Sequence, residues 1–83
     1  MPRIPSPAAA HIGSIIAEVR RERGLSVDDL ASKTKIDSSN IRSYEAGRAL
    51  VGLHYLVRIA DVLGVEPGAL LNGIELSMFE KNS

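Results

Sequence analysis

Apolar side chains recur with helical spacing through most of this 83-residue chain. Ile12, Ile16 and Val19 stand at i, i+4 and i+7, one stripe of a first helix predicted from about Ala8 to Arg23 and stopped at Gly24. Ser6 and Pro7 suit the N-cap and first position of that helix, while Pro2 and Pro5 oppose regular structure ahead of it, so residues 1–7 read as a mobile arm. Ser26, with Asp28 and Asp29 behind it, opens a short second helix whose Leu30, Ala31 and Thr34 share an inward face. Ile36 is an apolar plug. Asp37 or Ser38 then caps a third helix running to about Ala46, with Ile41 and Tyr44 inward and Gly47 as its stop. Beyond the loop Arg48–Gly52, a fourth helix spans Leu53 to Leu63 and puts Leu53, Leu56, Ile59, Ala60 and Leu63 on one face. Pro67 starts a fifth, short helix that ends at Leu70-Leu71. No run alternates like a strand. The expectation is an all-α domain of five helices over residues 8–72, followed by a tail, residues 73–83, without clear periodicity.

Charge refines this picture. Ten basic residues balance ten acidic ones, but unevenly: eight bases face six acids up to Arg48, and two face four from Ala49 onward. A polyanion-facing surface therefore belongs in the first half, although the tilt is mild. The chain has no cysteine, and His11 and His54 are too far apart in sequence to hold a metal alone, so no metal or other cofactor is expected. No apolar run approaches the roughly 18 residues of a bilayer span, and no secretory leader pattern is visible, which reads as a cytoplasmic chain without a membrane partner. There is no glycine-rich phosphate loop, no cysteine nucleophile and no histidine–carboxylate cluster, so an enzyme is rejected.

Gly24 to Gly47 holds the informative pattern. Two short helices joined by three or four residues read as a helix-turn-helix, crossing closely near Ala31. Ser38, Ser39, Asn40, Arg42 and Ser43 are left outward on its second helix, a polar face able to lie in a major groove. Ile12-Gly13, Val19 through Ser26, Asp29-Leu30-Ala31, Ile41, Tyr44 through Arg48, Leu56, Ile59-Ala60, Leu63-Gly64-Val65 and Leu70-Leu71 together resemble the phage-repressor/Cro-type (XRE-type) helix-turn-helix DNA-binding domains. The resemblance covers about Ile12 to Leu71 and implies a compact lambda-repressor-like fold. It implies that Ser38, Ser39, Arg42 and Ser43 read bases, that Asn40 touches the sugar-phosphate backbone, and that Arg20 and Glu45 pair as a partly buried salt bridge.

Departures from the family pattern matter here. The glutamine usual at the start of the second helix, which grips a phosphate, is Val27, so that contact is lost or moved to Ser26. Lys35 replaces the usual turn glycine, at a cost of about 1 kcal/mol, and offers a phosphate contact instead. Arg48, just past the third helix, is a further phosphate-binding candidate. Specificity then rests on Arg42, whose forked pairing with guanine is worth about 1–3 kcal/mol. Arg3 is a minor-groove candidate, Arg21 and Arg23 are helix-end charges, with Arg23 in reach of a phosphate, and His54 is a solvated or half-buried histidine.

Ile74, Leu76, Met78 and Phe79 exceed what five short helices easily bury. They either fold back to finish the core or form a dimer interface, which would set two third helices roughly 34 Å apart to read a palindrome. The expected function is sequence-specific binding of double-stranded DNA by a small homodimeric regulator that represses by occluding a promoter. A phage or plasmid repressor and a restriction-modification controller both fit this length. The alternative is an antitoxin or protein-interaction adaptor, with a toxin or an anti-repressor as partner.

Overall fold

Each of the first three helices starts where a side chain can satisfy its leading amides. The computed structural model describes residues 6–80, so the arm residues 1–5, with Arg3, and residues 81–83 lie outside the described residues. Helix α1 (Pro7–Glu22) is capped by Ser6, whose Oγ accepts the Ala9 N–H at 3.4 Å, and Pro7 takes the first helical position, as expected from the sequence. Helix α2 (Val27–Thr34) carries a reciprocal cap: the Asp29 N–H donates to Ser26 Oγ and the Ser26 N–H donates to Asp29 Oδ2, both at 2.9 Å. Helix α3 (Ser38–Glu45) is capped by Asp37 through the Ser39 N–H at 3.4 Å. Helix α4 (Leu53–Leu63) follows Gly52 without a side-chain cap, and 3-10 turns close the chain at Pro67–Leu71 and Leu76–Met78.

The predicted fifth helix is therefore a 3-10 turn. Pro67 brings no amide donor and Gly68 little helical preference, and the segment closes with i→i+3 bonds, the Ala69 N–H donating to the Glu66 carbonyl at 2.9 Å. The tail, expected to be featureless, also winds once, at Leu76–Met78.

The core gathers Ile12 and Ile16 of α1, Leu30 of α2, Ile36, Ile41 of α3, Leu56, Ile59, Ala60 and Leu63 of α4, and Leu70. Ile36 plugs the corner at 2% exposure, because the α2–α3 connection turns its side chain inward while its N–H donates to the Ala31 carbonyl. Leu53 does not join this core, and its 74% exposure corrects the predicted inward face of α4. That helix packs on α2 and on the Pro67–Leu71 turn, and the buried stripe ends at Leu56, one turn short of Leu53.

Lys35 terminates α2 in the left-handed conformation, with φ 63° and ψ 29°, and its N–H donates to the Ala31 carbonyl at 2.9 Å. A side chain with a Cβ is strained there, and glycine is not, though glycine loses more entropy on folding. Lys35→Gly is expected to raise stability by about 0.5–1 kcal/mol in urea unfolding; a loss would show that the Lys35 stem packs usefully. No described helix is long and apolar enough to cross a membrane.

Candidate nucleic-acid interface

The carboxyl half of α3 is fixed against α1 by main-chain contact. A Cβ built on Gly13 would lie 1.9 Å from the Tyr44 carbonyl oxygen, so the two backbones touch where the helices cross. At Gly47 a Cβ would come 2.9 Å from the Ala10 Cα, and its φ of +75° is one that side chains rarely adopt. A close helix crossing is thus the one between α1 and α3 at Gly13; Ala31, on α2, is half-buried.

Beside this crossing lies an ion pair. Arg20 Nε donates to Glu45 Oε2 at 2.7 Å and Nη2 to Oε1 at 2.9 Å, while Nη1 donates to the Leu25 carbonyl at 2.9 Å. Both side chains are about nine-tenths buried, at 11% exposure each. The fork to Glu45 raises the Arg20 pKa above its ordinary value, against the opposing effect of burial. Tyr44, one residue earlier, is half-buried, and burial with Tyr55 nearby pushes its phenol up.

With its inner side held, α3 turns its polar residues outward. Ser39, Asn40 and Arg42 are exposed, and Ser38 and Ser43 are half-buried along the same ridge. Lys35 and Arg48, just before and after α3, are also exposed. Ser26 is exposed, but its Oγ and its N–H both serve the α2 cap. That cap also pulls down the Asp29 pKa: the Ser26 N–H is the main cause, the Ser26 hydroxyl adds to it, and Lys33 contributes. A carboxylate held below its unfolded value stabilises the fold fully above pH 3.8 and loses that contribution as pH falls through the lowered folded value. Asp29→Asn is therefore expected to weaken the acid dependence of unfolding below pH 3.8, measured by circular dichroism. An unaltered acid transition would contradict it.

Several basic groups are committed elsewhere. Arg23 Nε donates to the Leu63 carbonyl at 2.8 Å, so this side chain closes the α4 C-terminus and is not a freely solvated charge. Arg58 was only a charge in sequence; here Nη1 donates to the Thr34 carbonyl at 3.2 Å, Nη2 to His54 Nε2 at 3.0 Å, and its guanidinium lies 5.3 Å from the Tyr55 ring centre. It thus braces the end of α2 beside the Lys35 turn. His54 is exposed. His11, on α1, donates through Nε2 to the Asn72 carbonyl at 2.6 Å and ties the start of the tail to α1. Neither Arg58 nor His11 had a sequence signal, because their partners are carbonyls 24 and 61 residues away.

In the tail, Ile74 packs against the core and Met78 is half-buried, whereas Leu76 and Phe79 are 71% and 44% exposed. Apolar exposure that the sequence did not signal lies in and just after the loop that follows α3: Leu50, Leu53 and Val57 are 48%, 74% and 44% exposed.

A family model described as a helix-turn-helix domain matches residues 13–82. This chain is a phage-repressor/Cro-type (XRE-type) helix-turn-helix domain. Its fold is lambda-repressor-like, with four α-helices and 3-10 turns among the described residues, and the family is one of non-enzymatic DNA-binding domains. The domain is 39% identical over 62 residues to Multiprotein-bridging factor 1 of Candida glabrata, a match covering 75% of this chain and 41% of that relative. It therefore spans well under half of that protein's length. Among solved structures it is similar to the restriction-modification controller protein C.AhdI of Aeromonas hydrophila, at 31% identity and TM-score 0.73, covering 75% of this chain and 94% of that one. It is also similar to SinR, a master regulator for biofilm formation solved in complex with DNA, at 31% identity and TM-score 0.71, covering 74% and 98% of the two chains.

Proposed function

We propose that this helix-turn-helix domain binds double-stranded DNA sequence-specifically by seating α3 in the major groove, as a cytoplasmic homodimer that represses transcription by occluding a palindromic site. The observation that carries this reading is the polar ridge of α3, on which Ser39, Asn40 and Arg42 are exposed. Ser38, Ser39, Arg42 and Ser43 are assigned to base edges, and Ser26, Lys35, Asn40 and Arg48 to phosphates. Similarity to SinR, whose structure contains DNA, and to C.AhdI supports the same mode. The exposed Leu76 and Phe79, beside the half-buried Ile74 and Met78, support a dimer interface in the tail.

Two phosphate-facing cations per protomer, Lys35 and Arg48, give a dimer a log–log salt slope of roughly −3.6 on duplex DNA. A flat response to salt would overturn the reading. Arg42→Ala is expected to weaken a selected site more than random duplex; equal losses would make Arg42 a phosphate contact only. For the dimer, Phe79→Asp is expected to shift sedimentation toward monomer.

The second reading, an adaptor or antitoxin that holds another protein such as a toxin or an anti-repressor, is favoured by the exposed Leu50, Leu53 and Val57. Similarity to a chain of a SinR–SinI protein complex fits it, at 30% identity and TM-score 0.72 over 75% of this chain and 61% of that one. Leu53→Asp separates the two assignments: an unchanged dimer leaves the Leu53 surface free for another protein, whereas loss of the dimer with Leu53→Asp but not Phe79→Asp makes that surface the homodimer interface and removes its support for the second reading.

A further inference from the structure

One contact joins the first turn of α2 to the outward face of α3. Arg42 Nη2 lies 3.4 Å from Asp28 Oδ1, with the two side chains 55% and 78% exposed. An ion pair this long and this open to water adds next to nothing to folding. Nor is Asp28 needed to start α2, since Ser26 and Asp29 make the cap. Its carboxylate instead stands on the surface offered to a polyanion, where it repels phosphates and lowers affinity for every duplex alike. A group that weakens general binding has a use if it sharpens discrimination.

We propose that Asp28 and Arg42 read one G·C base pair as a unit, which rests on the DNA-binding reading above. In the major groove guanine presents O6 and N7, two acceptors to which the forked Arg42 guanidinium can donate as a pair, and the cytosine opposite presents its N4 amino group, a donor to a carboxylate. Guanine O6 and cytosine N4 are neighbours in that pair, as are the Arg42 and Asp28 head groups in the protein. An A·T pair in the same place keeps N7 but exchanges O6 for an amino donor and sets thymine O4, an acceptor, against the Asp28 oxygen. Both members of the couple then lose their partners. In the free protein the two head groups already stand 3.4 Å apart, so facing one base pair together needs no large movement of either side chain. Asp28 is thus a specificity-determining residue, and Arg42 alone would read the guanine less strictly.

The test starts from a duplex selected from a random pool by the parent chain. Affinities of the parent, Asp28→Ala, Arg42→Ala and the double variant are then measured for that site, for each of its G·C→A·T changes, and for random duplex. Both side chains are exposed, so all variants are expected to fold, with circular dichroism as the check. At one base pair the parent should prefer G·C by roughly tenfold or more, and either single substitution should remove most of that preference. The double variant should lose little beyond the singles, and Asp28→Ala should bind random duplex as well as the parent or better. Preferences that fall additively, or an Asp28→Ala that strengthens all sequences by one common factor, overturn the couple while leaving DNA binding in place. A parent chain with no salt-dependent binding to any duplex overturns both readings.

Discussion

Gly13→Ala is expected to destabilise the domain by about 3 kcal/mol or more, seen as a marked fall in the urea midpoint. Two effects oppose each other. Alanine in a helix interior gains about 1 kcal/mol over glycine from conformational preference alone. Against it stands a Cβ 1.9 Å from the Tyr44 carbonyl oxygen and 3.2 Å from the Glu45 carbonyl carbon, both main-chain atoms that no rotamer change can move. Separating α1 from α3 far enough to admit the methyl would strip contacts from Ile41 and disturb the Arg20–Glu45 fork. A domain of this size has about 4–12 kcal/mol in all, so the loss is a large part of the total. A net gain from Gly13→Ala would mean that the helices cross with more room than this.

Arg20→Met is expected to cost about 3 kcal/mol, the lower end for breaking a buried pair because about a tenth of each side chain still meets water. Methionine fills similar volume but leaves the Glu45 carboxylate and the Leu25 carbonyl without their donors. Arg20→Met combined with Glu45→Leu should recover a substantial part of the loss, since the stranded charge is then gone too. Thermal unfolding of the two variants checks this, and equal midpoints would show that the cost is lost packing rather than an orphaned carboxylate. The pair steadies the C-terminal end of α3, so the single variant should also weaken any duplex binding that depends on the angle of that helix.

What could be read from sequence divides by how local its cause is. The Ser26 cap, the Ser6–Pro7 start and the strained Lys35 are set within a few residues, and each was legible. Helical periodicity also found the buried stripe of α4, but periodicity gives a direction and not an extent, so Leu53 was assigned to a core that ends one turn later. The fifth helix failed for a related reason, because a five-residue apolar segment carries too little pattern to separate an α-turn from a 3-10 turn. For the candidate site, the ridge Ser38–Ser43 followed from which α3 positions were left once Ile41 and Tyr44 were turned inward. Of the groups that hold or tune it, the Arg20–Glu45 pair followed from the family resemblance, while the others were not legible. Gly13 matters because of a carbonyl 31 residues on, and Asp28 because of a guanidinium 14 residues on. Arg58 and Arg23 likewise gave no sign that carbonyls would claim them.

Basic side chains held by carbonyls also shape how such a protein would search a genome. Of its ten basic residues, Arg20, Arg23 and Arg58 are turned to carbonyls or to Glu45, so fewer remain to grip phosphates than the sequence total suggests. Weak grip on arbitrary duplex shortens each sliding run. Target finding would proceed mainly by repeated detachment and three-dimensional diffusion, and its rate should change little with the length of flanking DNA.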